Sequence, residues 1–327
     1  MFSNPKPIPV ILDTDIGGDI DDAWALAFLL NCPEVELKMV LTATGDTTYS
    51  AKIAAKMLTI AGRTDIPVGI GRPTRPEAAW RTVAAYVADD DLADYAGTVY
   101  PDGIAALIEL IDEQPTPVTL TGIAALSNVA ELLERRPDLA GKVDFVGMHG
   151  SIRQGIGGEP GPVAEYNVKM DVAAARKVFQ APWRSMAITP LDTCGLVRLD
   201  GELYRRLYHS ADPLLQSLFR QYRLWHREVQ APWPVDQSSS TLFDTVAALM
   251  TFSRRFLHFK TLPLAVTDDG HTVVRPAAGN RIDTAVAWHD LEAFRNFLAA
   301  RLLSRQPLPG TPSRTAATLP AWETLPL

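Results

Sequence analysis

Short apolar runs alternate with helix-like segments through the first two thirds of this 327-residue chain. A continuous apolar run is typical of a strand buried on both faces, whereas apolar residues spaced three and four apart indicate a helix. We predict strands at 9–13, 35–43, 66–70, 118–121, 143–148 and 185–189, and helices at 22–30, 50–61, 103–112, 126–135 and 171–179. This alternation predicts an α/β fold whose mostly parallel central sheet carries helices on both faces.

The rest of the chain fits one domain, which we place at 1–304. Two long segments, 72–101 and 204–240, interrupt the alternation, and such segments in a compact domain are usually functional. We expect both to cover a ligand site, the second as a mobile helical insertion. Five prolines fall within 305–327, which predicts an extended C-terminal tail.

The composition excludes several classes of protein. With 47% hydrophobic and 21% charged residues, the chain is unlike a disordered protein. A formal net charge of −7 and the absence of a basic stripe argue against nucleic acid as a partner. No apolar run approaches the ~20 residues that cross a bilayer, and no secretion signal is visible at the N-terminus. We therefore expect no membrane partner and a cytoplasmic location.

Five aspartates lie within ten residues, 13–22, directly after the first predicted strand. In an open α/β sheet this position is at the carboxyl end of the strand, where ligands bind. The helix that follows offsets only part of the negative charge, so a cation is expected there. Oxygen ligands without a nearby histidine or thiol favour a hard ion, and a site built mainly from protein groups suits Ca²⁺ better than Mg²⁺. A solvated acidic turn, with Asp22 as a helix cap, is the alternative interpretation.

Four ordered motifs carry a resemblance to a known family. Residues 13–23 read Asp-Thr-Asp-Ile-Gly-Gly-Asp-Ile-Asp-Asp-Ala, and this run resembles the N-terminal signature of the calcium-dependent nucleoside hydrolases. Similar matches occur at 118–130, at 164–171, which reads Ala-Glu-Tyr-Asn-Val-Lys-Met-Asp, and at 242–247. The resemblance implies hydrolysis of the N-glycosidic bond of ribonucleosides, giving ribose and a free base.

The resemblance also implies roles for individual residues. Asp15, Asp22 and Asp244 match the family's metal-binding carboxylates, and Ile123 matches the residue whose backbone carbonyl binds the ion. Asp21 matches the general base that takes a proton from the attacking water. Such a base is effective because a water bound to a metal ion has a lowered pKa.

Further matched residues imply contacts with the substrate. Glu165 and Asn167 would hold the sugar hydroxyls, since carboxylate and amide groups each make two such contacts. Asp13 matches a carboxylate that orients groups within the site. Glu159 stands where an asparagine often contacts the 5′-hydroxyl. Phe243 replaces a histidine that helps to protonate the leaving base, so the substrate need not be a standard nucleoside.

Aromatic residues of the second long segment are candidates for stacking on the base. Tyr222, Trp225 and His226 lie on one predicted helix, and Trp233 follows it. Family members use aromatic residues from this region in that way, whereas ordinary helix packing is the alternative explanation.

Two other functions remain open from the sequence. A calcium-dependent nucleoside or ribose binder without turnover would explain Phe243, although such a protein has no need of Asp21. An aspartate-nucleophile phosphatase would explain Asp13 and Asp15 after a first strand, but the residues that follow fit that class poorly. We expect a small riboside as the partner and a homodimer or homotetramer as the assembly.

Overall fold

The structure is a computed structural model that describes residues 6–74, 81–277 and 279–304. The predicted tail at 305–327, and the part of the segment 72–101 that spans 75–80, lie outside the described residues. The described residues form ten strands: β1 (Ile8–Thr14), β2 (Val35–Thr42), β3 (Val68–Ile70), β4 (Val99–Tyr100), β5 (Val118–Gly122), β6 (Val143–Met148), β7 (Ser185–Thr189), β8 (Leu257–Val266), β9 (Thr272–Val274) and β10 (Asn280–Trp288).

The same residues form eleven α-helices: α1 (Asp21–Leu30), α2 (Thr47–Ile60), α3 (Gly103–Glu113), α4 (Ser127–Arg135), α5 (Tyr166–Met170), α6 (Val172–Gln180), α7 (Leu191–Cys194), α8 (Gly201–Tyr208), α9 (Pro213–Glu228), α10 (Asp244–Met250) and α11 (Leu291–Leu303). Most predicted elements agree with these bounds to within two or three residues. Asp171 caps α6, because its side chain accepts a hydrogen bond from the Ala174 N–H at 2.9 Å.

One sheet joins all ten strands of the described residues in the order β4-β3-β2-β1-β5-β6-β7-β10-β8-β9. The pairs from β4 to β10 in that order are parallel, while β8 pairs with β10 and with β9 in antiparallel fashion. The predicted α/β fold with a mostly parallel sheet is thus confirmed. In chain order, β2, β3 and β4 are added outward on one side of β1, and β5 then pairs with the other side of β1. The point at which the strand order reverses therefore lies between β1 and β5.

Apolar side chains form a core on each face of this sheet. In β1, Val10 and Leu12 belong to one core and Ile11 belongs to the other, as alternation along a strand requires. The first core contains α1, α2 and α9, and the second contains α3, α4 and α6. All ten residues of α1 are buried, which explains why its sequence is apolar on every side. The cores fix the carboxyl ends of β1, β5, β6 and β7 at one edge.

The segment 204–240 differs from its prediction as a mobile insertion. Its main helix, α9, begins at Pro213 after Asp212, whose carboxylate accepts hydrogen bonds from two N–H groups of the first turn. The apolar face of α9 is buried against α1, with Phe219 and Tyr222 in edge contact with Trp24. This helix therefore belongs to the core.

Among the described residues, no helix is both long enough and apolar enough to span a membrane.

Candidate active site

The acidic loop leaves β1 through a turn that requires glycine. Gly17 has a φ of +102°, and a Cβ there would lie 2.5 Å from Ile53 and 2.7 Å from Tyr49. The Gly18 N–H donates to the Asp15 carbonyl at 3.2 Å, and Thr82 donates its hydroxyl to the Gly18 carbonyl at 2.6 Å. These contacts hold the loop above the carboxyl end of β1.

Three carboxylates meet where α1 and α10 begin. Asp21, Asp22 and Asp244 each place one oxygen within 4.8 Å of the others, and all three side chains are buried. The Asp244 N–H donates to Asp21 Oδ2 at 3.3 Å, and the Thr14 hydroxyl donates to Asp22 Oδ1 at 2.5 Å. Burial, and then repulsion by neighbouring carboxylates, raises the pKa of all three aspartates well above its usual range.

Two more aspartates of the loop, Asp15 and Asp19, line the same cavity without joining that tight cluster. Burial raises the pKa of Asp15 to about 7 and that of Asp19 to about 6. No lysine or arginine within the described ranges forms an ion pair with any of these five carboxyl groups. Buried carboxylates without a cationic partner are costly, so their donor set fits a hard metal ion.

Ile123 lines the cavity directly after β5. Its N–H donates to the Asp13 carbonyl at 2.9 Å, which continues the pairing of β5 with β1. The Asn167 side-chain amide donates to the carbonyls of Ile123 and Met148, at 3.2 Å in each case. Ile123 and Asn167 both line the cavity, so the structure brings them together with the carboxylate cluster.

His149 supports the turn that follows Ile123. Its side chain is fully buried, and Nε2 donates to the Ala124 carbonyl at 3.1 Å. A Cβ at Gly147 would lie 2.3 Å from its Nδ1, so that glycine makes room for the ring. Burial lowers the pKa of His149 to about 4, so the ring is neutral at pH 7. His149 is therefore a packed side chain that supports the backbone beside the cavity.

Asp13 lies behind the cavity. It is fully buried, and Asn128 Nδ2 donates to its Oδ1 at 2.7 Å while also donating to the Thr42 carbonyl at 3.1 Å. Burial raises its pKa to about 7. This placement gives Asp13 contacts that orient neighbouring groups, and it is not among the residues that line the cavity.

Glu165 binds the backbone of two elements. Its carboxylate accepts hydrogen bonds from the N–H groups of Asn167, Gly150 and Val168 at 2.7, 2.9 and 3.2 Å. It therefore caps α5 and fixes the start of the loop after β6. Glu165 lines a cavity of about 360 Å³, which is in the size range of small-molecule sites.

Besides Asp13, five predicted contact residues do not line this cavity: Glu159, Tyr222, Trp225, His226 and Trp233. The four residues of the second long segment instead bind each other. Tyr222 stacks on Trp225 with ring centroids 5.8 Å apart, Trp233 Nε1 donates to the Tyr222 hydroxyl at 2.8 Å, and His226 Nε2 donates to the Trp233 carbonyl at 2.5 Å. Glu159 is exposed on the loop after β6.

Half of the residues that line the cavity had no role predicted from the sequence. They are Asp19, Met148, Ile156, Val163, Ala164, Tyr166, Lys169 and Leu191. Their signal was positional, since four of them lie inside the matched motifs 13–23 and 164–171, and Met148 and Leu191 lie at the end of a predicted strand or just after it. Phe243 lines the cavity next to Asp244, so the residue that replaces the histidine is at the site itself.

Comparisons with known proteins point to one family. The sequence model of the inosine-uridine preferring nucleoside hydrolases matches residues 10–296. The pyrimidine-specific ribonucleoside hydrolase RihA of Salmonella arizonae is 27% identical over 312 residues, covering 90% of this chain and 98% of the relative. RihA of an Enterobacter species is 34% identical over 234 residues, covering 67% of this chain and 72% of the relative.

Solved structures show the same fold. A plant nucleoside hydrolase superimposes with a TM-score of 0.76 at 24% identity, covering 91% of this chain and 99% of its own. The inosine-uridine preferring nucleoside hydrolase from Bacillus anthracis gives a TM-score of 0.72 at 19% identity, covering 90% and 99%.

The chain belongs to the family of inosine-uridine preferring nucleoside hydrolases, as its four motifs predicted. It is an N-glycosidase that hydrolyses ribonucleosides to ribose and a free base. The family match overturns the phosphatase alternative, because an aspartate-nucleophile phosphatase would not match a nucleoside hydrolase across almost the whole chain. It also overturns the alternative of a binder without turnover.

Proposed function

We propose that this nucleoside hydrolase uses Ca²⁺, held by the carboxylates of Asp15, Asp22 and Asp244 and by the carbonyl of Ile123. One observation carries the proposal: buried carboxyl groups meet at the switch point of the sheet, and no basic side chain of the described residues neutralises them. A bound Ca²⁺ would supply the missing positive charge, attract vicinal sugar hydroxyls and lower the pKa of a nearby water.

The chain's own residues then account for the proton transfers. Asp21 lies in the same cluster as Asp22 and Asp244, and we propose that it accepts a proton from the attacking water instead of binding the ion. The water oxygen forms a bond to C1′, the bond from C1′ to the base nitrogen breaks, and its electron pair leaves with the base. The base must gain a proton on departure or afterwards.

The side chains proposed to position the sugar are Glu165 and Asn167, which line the same cavity as the carboxylate cluster. Glu165 and Asn167 are buried and held rigid by hydrogen bonds to the backbone, so little conformational entropy is lost when a sugar binds. Asp13 does not line the cavity and accepts a hydrogen bond from Asn128, which also donates to the Thr42 carbonyl. Asn128 therefore links the ends of β1 and β2.

Assistance to the leaving base must come from groups other than the usual histidine. Phe243 offers only an apolar face, and the described cavity lining contains no histidine. Tyr166, Lys169 and Asp19 are the cavity-lining side chains that carry a transferable proton besides the groups already assigned. We propose that departure needs no histidine acid.

The test is ribose release from uridine, cytidine, inosine and adenosine after chelation and after return of single ions. Uridine and cytidine come first because the enterobacterial relatives are pyrimidine-specific. We expect chelation to abolish turnover and Ca²⁺ to restore it more fully than Mg²⁺ or Zn²⁺. Full activity in excess chelator would contradict the proposal. Homodimeric or homotetrameric assembly and a cytoplasmic location also stay predictions, to be checked by light scattering and cell fractionation.

A further inference from the structure

Two exposed aliphatic side chains line the catalytic cavity. Ile156 and Val163 are 56% and 43% exposed, and both belong to the loop that follows β6. The other large apolar side chains exposed in the described residues, Tyr100, Val229 and Val274, lie away from this cavity. Apolar surface left in water at a binding site is typical of a contact that a ligand completes.

The loop that carries these side chains is held in place. Buried Asp192 accepts hydrogen bonds from the N–H groups of Ile152 and Arg153, at 2.8 and 3.0 Å. The Val163 N–H donates to the Ser151 hydroxyl at 3.0 Å, and the Gly157 N–H donates to the Gly195 carbonyl at 3.0 Å. The apolar wall formed by Ile156 and Val163 is therefore preorganised rather than a chance exposure of a loose loop.

The position of the apolar wall across the sheet indicates which part of a riboside it meets. The acidic loop follows β1, whereas the apolar wall follows β6, and only β5 lies between these strands. Two strand spacings amount to about 10 Å. If the sugar diol lies at the carboxylate cluster and C1′ lies near Asp21, the C4′–C5′ end of the ribose points along the sheet towards Met148, Val163 and Ile156.

Polar groups at this end of the cavity are largely occupied. Three N–H groups already bind the Glu165 carboxylate, which has about four acceptor positions. The Asn167 side-chain amide uses its hydrogens on two backbone carbonyls, which leaves its Oδ1 and the remaining Glu165 acceptor position for the ring hydroxyls. Glu159, which the sequence placed near the 5′-hydroxyl, does not line the cavity. A 5′-hydroxyl would therefore compete with the ring hydroxyls for these acceptors, and Ile156 and Val163 themselves offer it no partner.

We propose that the apolar wall of Ile156 and Val163 binds an apolar 5′ group. The preferred substrates would then be 5′-deoxy or 5′-alkylthio-5′-deoxy ribonucleosides, in which a methyl or alkylthiomethyl group replaces the hydroxymethyl group at C4′. This proposal rests on the proposed function, because it uses the sugar orientation given there. An anionic 5′ group is disfavoured, since six carboxyl groups line the cavity against one lysine, Lys169.

The experiment compares three ribosides that share one leaving group. These are p-nitrophenyl β-D-ribofuranoside, its 5-deoxy analogue and its 5-phosphate, all assayed with Ca²⁺. Because the three compounds share one leaving group, a preference for a particular base does not affect the comparison. We expect kcat/KM for the 5-deoxy compound to exceed that for the parent about tenfold, below the ~10² that a closed apolar pocket reaches, because the site is open here. The combined change Ile156→Thr and Val163→Thr should reduce this preference to below about threefold.

Val274→Thr is the matched control, because Val274 is 44% exposed but lies outside the cavity, and it should retain the wild-type preference. Equal or better hydrolysis of the parent riboside by the wild-type enzyme would overturn this proposal alone. Preference for the 5-phosphate would overturn it and assign the 5′ contact to Lys169. A further outcome is that the double variant keeps the wild-type preference for the 5-deoxy compound and changes its oligomer mass. That result would overturn the proposal, because it would show that the apolar wall is a contact between subunits. No release from any riboside would contradict the proposed function as well.

Discussion

The acidic loop and the aromatic segment both attracted functional predictions, but the structure treats them differently. Asp15, Asp21 and Asp22 converge with Asp244 on one cavity, whereas Tyr222 and Trp225 pack on each other and on α1. Carboxyl groups that are buried together must be neutralised by a proton or by a cation, so few explanations fit them. Aromatic residues at helical spacing are satisfied equally well by packing against a core. The comparison teaches that unsatisfied chemistry is a better guide to a site than residue type.

The largest expected effect is on catalysis by the acidic loop. Asp21→Asn should lower kcat by at least ~10³, because it removes the proton acceptor and a general base contributes about 10² to 10⁴. Ca²⁺ affinity, measured by calorimetry, should stay within a few fold of the wild type. Near-normal turnover of this variant would remove Asp21 from the proposed role.

Removing a proposed ligand should separate binding from base catalysis. We expect Asp15→Ala to weaken Ca²⁺ binding by at least ~10² and to lose substrate binding with it, since one charged oxygen ligand is lost. Asp138→Asn, a change of an exposed carboxylate that pairs with Arg136, is the control and should alter neither quantity. A Asp15→Ala protein with unchanged calcium affinity would show that the ion lies elsewhere.

His149 offers a test of the support beneath the site. Its pKa is lowered by burial to about 4, whereas it is near 6.5 in an unfolded chain, so the unfolded state binds more protons between these values. Stability contributed by neutral His149 is thus present above pH 6.5 and is lost as the pH falls towards 4, by up to about 3 kcal/mol. His149→Gln keeps an amide donor for the Ala124 carbonyl but cannot titrate.

Urea unfolding of both proteins at pH 7 and pH 4.5 measures this difference. The wild type should lose more free energy of unfolding on acidification than His149→Gln does, since all other titrating groups are shared. Equal losses would mean that the ring is not buried in its neutral form.

The smallest effect is expected in the aromatic segment. His226→Ala should change kcat/KM for uridine and for p-nitrophenyl riboside by less than about threefold each, because His226 binds the Trp233 carbonyl and does not line the cavity. The nitrophenolate leaving group needs no proton, so a loss confined to uridine would indicate acid assistance from this segment. That result would restore the sequence-based expectation for the aromatic residues.

Local patterns were sufficient for the central parallel strands. Continuous apolar runs marked β5, β6 and β7, and the acidic loop marked the end of β1. The short strand β4 and the helix α10 were missed because two and seven residues give too little periodicity, and the bounds and pairing of β8, β9 and β10 could not be predicted because they depend on contacts between distant segments. Ile156 and Val163 could not be assigned, since an aliphatic residue in a glycine-rich loop has no signal until the loop is placed over a cavity.

A crystal structure of the enzyme grown with CaCl₂ would show whether the carboxylate cluster binds the ion. We expect one ion at the carboxyl end of β1 and β5, bound by Asp15, Asp22, Asp244 and the Ile123 carbonyl, with ligand oxygens at about 2.3 to 2.6 Å. Asp21 should lie beside the ion with one oxygen turned towards a water. An ion bound by other residues, or none at saturating calcium, would contradict the proposed Ca²⁺ site.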